Sequence, residues 1–141
     1  MTSIQAAIGL AQLRKLDKLN EIRRNNAILL SQILSSTKEV GVPSEEVWAK
    51  HVYHVYAVKL LGADRDCVYE CMLRNGIEVA VHYPLPLHSQ PLFRKLGFAK
   101  CCPNASRLSQ IELSLPVHPA LSASDIRTVA VTLIKCVDVC R

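Results

Sequence analysis

Apolar residues over the first 35 positions follow the period of an α-helix, but their distribution changes along the stretch. Thr2 and Gln5 have the spacing of an N-terminal capping box, and no Gly-Pro break follows before about Ser35. This pattern predicts one long helix. Its first half is apolar on every side and therefore needs burial on every side. The apolar residues of this half are Ile4, Ala6, Ala7, Ile8, Leu10, Ala11 and Leu13. Its second half has a single apolar stripe, as in an ordinary amphipathic helix.

A helix of that extent is long for a chain of 141 residues. At about 1.5 Å per residue it measures roughly 50 Å, more than the diameter expected of one domain of this size. We therefore expect residues 1–40 to form a helix that reaches beyond its own domain, and residues 41–141 to form the domain itself.

Strand and helix patterns follow one another after the breaker formed by Gly41, Val42 and Pro43. The predicted elements are a strand over 52–61, a helix from Asp64 to Asn75 with Gly76 as its left-handed C-terminal residue, a strand over 77–81, short helices near 93–96 and 103–110, an extended segment over 113–119, and a helix from about Ser124. The last helix is expected to pack on the core through Ile126, Val129, Ala130, Leu133 and Val137. This order predicts an α+β fold.

Composition and charge narrow the class of protein. Half of the residues are apolar and 21% are charged, which fits one globular domain with a single core. The sequence has neither a run of eighteen apolar residues nor a leader pattern, so we expect a soluble, cytoplasmic protein without a membrane partner. The formal charge of +5 comes from dispersed Lys and Arg, and few aromatic rings are available to stack on bases. We expect no nucleic-acid partner; the basic surface is either solvated or faces an anionic substrate.

The six cysteines fall into pairs with helical spacing. Cys67 and Cys71 stand at i and i+4, as do Cys136 and Cys140, whereas Cys101 and Cys102 are adjacent. Without a secretory leader, reduced and packed thiols are the expected state. Structural zinc sites place their cysteines around Gly or Pro turns, which neither spaced pair contains, so we expect no metal.

The loop from His82 to His88 is the best candidate for a site. Two imidazoles and the phenol of Tyr83 lie on a segment stiffened by Pro84 and Pro86, directly after a predicted strand. The alternative is that the prolines only route the chain across the surface and the histidines are solvated. The sequence has no Gly-x-Ser-x-Gly turn, no Cys beside a His and no glycine-rich phosphate loop. It therefore supports neither nucleophilic catalysis nor a glycine-rich nucleotide-binding loop.

Several segments, in order, resemble the DegT/DnrJ family of sugar-nucleotide aminotransferases, which are fold-type I pyridoxal-phosphate enzymes. The matching segments are residues 1–13 (MTSIQAAIGLAQL), Tyr53-His54-Val55-Tyr56, the run from Gly76 through His82-Tyr83-Pro84 to Leu87-His88 and Gln90-Pro91, and Leu113-Ser114-Leu115-Pro116-Val117-His118-Pro119. The resemblance spans nearly all 141 residues. It implies the C-terminal small domain of such an enzyme, with a small, mostly antiparallel sheet flanked by helices. Residues 1–40 would be the long helix that faces the large domain and the dimer partner.

The resemblance also implies an activity and its limits. Members of the family are homodimers that move an amino group, usually from glutamate, onto a nucleotide-linked keto-sugar, through a lysine Schiff base with the cofactor. In the family that lysine lies upstream of the helix that begins this chain, so the resemblance implies that this chain lacks both the lysine and the large cofactor-binding domain that carries it. The lysines of this chain match other parts of the family pattern, so none is nominated as its replacement: Lys15, Lys18, Lys38, Lys50, Lys59, Lys95, Lys100 and Lys135.

The residues carried over from the family pattern have binding roles. His82, Tyr83 and His88 are expected to line the mouth of the active site and to hold the sugar nucleotide, whereas no catalytic, cofactor or metal residue is assigned. Two hypotheses remain open. The chain is either a fragment of an aminotransferase, inactive alone and without bound pyridoxal phosphate, or a stand-alone non-catalytic module that binds a sugar nucleotide or pairs with a separate cofactor domain.

Overall fold

Two consecutive helices form the N-terminal segment of the computed structural model, which describes residues 1–98 and 102–141; Lys100 and Cys101 lie outside those ranges. Helix α1 spans Ser3–Leu13 and helix α2 spans Leu16–Leu34. The predicted capping box is confirmed: the Thr2 hydroxyl accepts from the Gln5 N–H at 3.3 Å, and the Gln5 side chain accepts from the Thr2 N–H at 2.8 Å.

The prediction of one unbroken helix is wrong. The ladder is interrupted before Leu16, where the Lys15 N–H donates to the Gln12 carbonyl, three residues back, at 2.9 Å. A bond of this spacing tightens the turn and separates the two helices. Within this chain α1 is also not enclosed, because Ile4, Ile8, Leu10 and Leu13 are 58 to 74% exposed.

The sheet has three antiparallel strands in the order β1-β2-β3, which confirms the expected small antiparallel sheet. Strand β1 is Val40–Gly41, β2 is Tyr56–Leu60 and β3 is Glu112–Leu115. The register pairs Val40 with Leu60 and Lys59 with Glu112. Strand β1 was not predicted, because it lies in the segment that the Gly41-Val42-Pro43 breaker marks as a turn.

Two strand predictions need correction. The strand expected over 52–61 begins only at Tyr56, because Tyr53 has φ of +50° and its N–H donates to His51 Nδ1 at 2.8 Å instead of to another strand. The strand expected over 77–81 is a single bridge between Ala80 and Ser114. Its neighbours bond elsewhere: the Ile77 N–H donates to a carbonyl of the preceding helix, and the His82 N–H donates to the Glu112 carboxylate.

Within the described residues, four further helices follow. They are α3 (Arg65–Arg74), α4 (Pro91–Lys95), α5 (Pro103–Ile111) and α6 (Ala123–Val139), and a 3₁₀ turn spans Leu87–Ser89. The caps predicted for α3 are confirmed, since the Asp64 carboxylate accepts from the Cys67 N–H at 2.7 Å and Gly76 has φ of +76°. Helix α6 begins with a capping box of Ser122 and Asp125.

The core lies between one face of the sheet and helices α2, α3 and α6. Tyr56, Val58 and Leu60 alternate along β2 and point into this core, where the Tyr56 hydroxyl and Ser31 Oγ are 2.7 Å apart. The predicted inner face of α6 is confirmed, because all five of its residues are buried: Ile126, Val129, Ala130, Leu133 and Val137. Ala57 and Lys59 belong to the opposite face of the sheet, over which residues 82–98 and α5 lie.

The cysteine prediction is wrong for both spaced pairs. Cys67 is bonded to Cys140 and Cys71 to Cys136, with Cα–Cα distances of 5.8 and 5.7 Å. Because α3 and α6 run antiparallel, the i and i+4 cysteines of one helix face those of the other in matching order. The sequence shows the spacing within each pair but does not show that two pairs 65 or more residues apart lie opposite each other.

Candidate functional site

The face of the sheet opposite the core forms the floor of a cavity of about 970 Å³. Residues from β2, the proline loop, α4 and α5 line it, and most of the lining side chains are apolar. Its polar groups include Lys59, His82, His88, Ser109 and Glu112. All three residues predicted from the sequence, His82, Tyr83 and His88, border this one cavity.

A second, smaller cavity of about 590 Å³ lies on the other side of His82. It is bordered by the extended segment 75–80, by Ser114, and by side chains at the start of α6 such as Asp125 and Thr128. Because His82 borders both cavities, its imidazole stands at the boundary between them.

His82 is held by residues of β3 on two sides. Its backbone N–H donates to Glu112 Oε2 at 2.8 Å, and its Nδ1 is 2.9 Å from Ser114 Oγ. The Ser114 hydroxyl in turn donates to Glu112 Oε1. The carboxylate and the hydroxyl therefore fix both the backbone and the ring of His82, although the ring itself stays exposed.

Tyr83 presents its phenol to solvent. Its side chain is 74% exposed, and its ring meets the His82 ring edge to face with centroids 5.5 Å apart. The two residues are joined by a cis peptide bond. The pair thus offers an imidazole and a phenol side by side at the edge of the larger cavity.

His88 has a different environment from its two companions. It is buried at 7% exposure, and its Nε2 is 2.9 Å from Ser106 Oγ of α5. This contact ties the 3₁₀ turn that follows the prolines to α5. His88 therefore borders the cavity while its ring holds the loop in place.

Glu112 and Ser114 are the members of this cluster that the sequence analysis missed. Both are buried, and as residues i and i+2 of one strand they lie on the same face, whereas Leu113 and Leu115 lie on the core face. The signal was present in the sequence, because a polar-apolar alternation over 112–115 with a carboxylate and a hydroxyl on one side is unusual for a buried strand.

A separate ion pair holds the segment that precedes β2. The Arg24 guanidinium donates to both oxygens of Glu45, at 2.7 and 3.0 Å, and also to the His51 carbonyl. The hydrogen bonds from Arg24 and from the His51 N–H hold the pKa of the Glu45 carboxyl below its ordinary value. This pair fixes residues 45–51 on α2, away from the cavity.

Over residues 1–98 and 102–141, no group of three or more His, Cys, Asp or Glu side chains is arranged to hold a metal ion. Over the same ranges, no helix has the length and hydropathy needed to cross a bilayer.

Comparison with known proteins identifies the family. The sequence model of the DegT/DnrJ/EryC1/StrS aminotransferase family matches residues 1–134. The chain belongs to this family. Among relatives, a 4-aminotransferase for dTDP-4-dehydro-2,3,6-trideoxy-D-glucose from Saccharopolyspora spinosa is 37% identical over 136 residues, and a pleiotropic regulatory protein from Geobacillus stearothermophilus is 34% identical over 124 residues.

Solved structures of aminotransferases share the fold. The aminotransferase TlmJ from Streptoalloteichus hindustanus superposes with a TM-score of 0.86 at 29% identity and covers 95% of this chain. A putative sugar aminotransferase from Streptococcus pneumoniae superposes with a TM-score of 0.89 at 24% identity and covers 98%.

The chain corresponds to only part of these proteins. It spans 34% of the Saccharopolyspora relative and 33% of the Geobacillus relative, while covering 94% and 86% of its own length. In the two solved structures the corresponding shares are 36% and 35%. It therefore matches the C-terminal portion of a sugar aminotransferase, with the small domain fold expected from the resemblance.

The family uses pyridoxal phosphate, but the described residues do not form a site for that cofactor. Such a site needs a lysine amine, a partner for the pyridine nitrogen and a phosphate cradle. Among the described lining residues, the lysine is Lys59, and the carboxylate, Glu112, is already bonded to His82 and Ser114. The rest of the described lining is largely apolar, which does not suit a phosphate group.

Proposed function

We propose that this chain is the C-terminal portion of a pyridoxal-phosphate-dependent aminotransferase that acts on nucleotide-linked keto-sugars. The family match over residues 1–134, at about a third of the length of the relatives, carries the proposal. The name of the Saccharopolyspora relative specifies a dTDP-linked dehydro-sugar, which supports this substrate class. The net charge of +5 is also compatible with an anionic nucleotide substrate.

The chain's own part in this reaction is to bind and orient the substrate. His82 and Tyr83 present an exposed imidazole and phenol beside an apolar cavity, and such groups provide hydrogen bonds and a stacking surface for a sugar. His88 borders the same cavity and holds the loop through Ser106. The remainder of the enzyme would hold the cofactor, which would supply the chemistry of amino transfer.

Helix α1 supplies the surface for that remainder. Its exposed apolar side chains, Ile4, Ile8, Leu10 and Leu13, lie on more than one side of the helix and would form an apolar surface patch around it in an isolated chain. Burial by the large domain or by a second subunit would remove that patch from water. We therefore assign α1 to the contact with the large domain and the dimer partner.

A chimeric enzyme tests the proposal. Residues 1–141 replace the matching third of the Saccharopolyspora spinosa 4-aminotransferase, and the purified chimera is supplied with pyridoxal phosphate, glutamate and the dTDP-linked keto-sugar of that relative. We expect the amino-sugar product, detected by mass spectrometry. A folded, cofactor-loaded chimera that forms no product, alongside an active parent enzyme, would contradict the proposed function.

A further inference from the structure

The hydrogen bonds around Ser114 determine where the proton of the His82 ring resides. A serine hydroxyl has one hydrogen to donate, and here it donates to Glu112 Oε1. A carboxylate only accepts, so this hydrogen cannot be returned to the serine. Ser114 Oγ is therefore left with lone pairs toward His82 Nδ1, 2.9 Å away, and the ring nitrogen must be the donor.

The Glu112 carboxylate is itself held in a fixed orientation. Glu112 Oε2 accepts the His82 backbone N–H at 2.8 Å, and Glu112 is only 9% exposed, so the carboxylate is held between two donors. Glu112 and Ser114 are successive same-face residues of β3, and β3 is paired along its length with β2. The acceptor end of this chain of hydrogen bonds is thus built into the sheet.

We propose that Glu112, acting through Ser114, holds His82 in the tautomer protonated at Nδ1, so that the outer nitrogen, Nε2, accepts a hydrogen bond from a hydroxyl group of the ligand. In a neutral imidazole one nitrogen donates and the other accepts, and the bond at one nitrogen sets the role of the other. A neutral ring with an acceptor outermost favours a donor such as a sugar hydroxyl over the diphosphate. Glu112 and Ser114 are positioning residues in this arrangement.

The tautomer is measured on the 141-residue chain itself and does not depend on the proposed function. Long-range ¹H–¹⁵N NMR spectra at pH about 9, where imidazole is neutral, distinguish a protonated from an unprotonated ring nitrogen. We expect Nδ1 of His82 to show the shift of a protonated nitrogen and Nε2 that of an unprotonated one. 4-Methylimidazole in the same buffer gives the reference shifts.

The Glu112→Gln variant tests the relay while preserving its shape. With its amide oxygen on the His82 N–H, the glutamine amide donates to Ser114 Oγ and turns the serine hydroxyl toward Nδ1. We therefore expect the His82 proton to move to Nε2. If this variant does not fold, Ser114→Ala removes the hydroxyl, and the fraction of His82 protonated at Nδ1 should fall toward that of 4-methylimidazole.

Two results would overturn the proposal. One is a wild-type His82 protonated at Nε2, and the other is a folded Glu112→Gln or Ser114→Ala variant whose His82 tautomer is unchanged. The ligand-binding half of the proposal rests on the proposed function and is tested in the chimera, where Glu112→Gln should raise KM for the nucleotide-sugar about tenfold with kcat largely retained. An unchanged KM would refute that half, whereas an inactive chimera with the expected tautomer would refute the proposed function alone.

Discussion

The two bonds between α3 and α6 should make folding stability depend strongly on oxidation state. Cys67 and Cys140 are 73 residues apart in sequence, and closing a loop of that length in the unfolded chain is worth about 4.4 kcal/mol at 25 °C in the chain-entropy model. Cys71 and Cys136 close a loop nested within it. With one bond in place, the other closes a ring of only about nine residues, worth about 2.6 kcal/mol in the same model.

The expected result is non-additive. Replacing Cys67 and Cys140 by serine should cost about 2.6 kcal/mol, because the inner bond remains, whereas removing both bonds should cost about 7 kcal/mol, comparable with the whole stability of many domains. Urea unfolding followed by circular dichroism gives these free energies. Peptide mapping without reduction should recover the 67–140 and 71–136 linked peptides.

A matched control separates the bonds from other effects of a reducing agent. A phosphine reductant should lower the urea midpoint of the wild-type chain. It should not change the urea midpoint of a variant in which serine replaces Cys67, Cys71, Cys136 and Cys140. A wild-type midpoint that does not respond to the reductant would refute this account. Equal midpoints for the variants with one and with neither bond would refute the nested-loop calculation.

Three further predictions test other parts of the structure. Burial raises the pKa of Tyr56 to about 12, so its neutral form stabilises the fold below pH 10 and that contribution is lost as pH rises toward 12. The difference in urea midpoint between the wild type and Tyr56→Phe should therefore shrink or reverse between pH 9 and pH 11.5. A difference that stays constant over this range would contradict the prediction. Ser122→Ala removes the α6 cap and should cost about 1 kcal/mol at pH 7, measured by thermal unfolding, with Ser124→Ala in the first turn of α6 as the control. Pyridoxal phosphate added to the chain alone should give no lysine-dependent absorbance at roughly 400 to 430 nm; a stoichiometric band removed by mutating one lysine would show the cofactor assignment to be wrong.

Features that depend on neighbours within one or two helical turns were predictable from the sequence. The Thr2 and Asp64 caps, the left-handed Gly76 and the buried stripe of α6 all follow from local spacing, and the structure confirms each of them. The loop that carries His82 and Tyr83 was also found locally, because two prolines next to a predicted strand mark a rigid, exposed segment.

Features that depend on distant partners were missed or wrong. The residues over 77–81 form a single bridge because the N–H groups that flank this bridge have other partners. The Ile77 N–H bonds to α3, and the His82 N–H bonds to Glu112. Glu112 itself acts on a residue 30 positions earlier, and the disulfides join helices 65 or more positions apart. The period of an apolar pattern shows which face of a helix or strand is buried, but it does not show which other element packs against that face.

The central claim is that His82 and Tyr83 form one wall of the substrate site of a sugar aminotransferase. Steady-state kinetics of the chimera test it most directly, with His82→Ala and Tyr83→Phe each compared with Tyr69→Phe on α3, on the other side of the sheet. We predict that each site variant raises KM for the nucleotide-linked keto-sugar about tenfold, the effect of one lost hydrogen bond, and leaves KM for glutamate unchanged. The Tyr69→Phe variant should leave both KM values unchanged. Unchanged KM values in both site variants of an active chimera would contradict it.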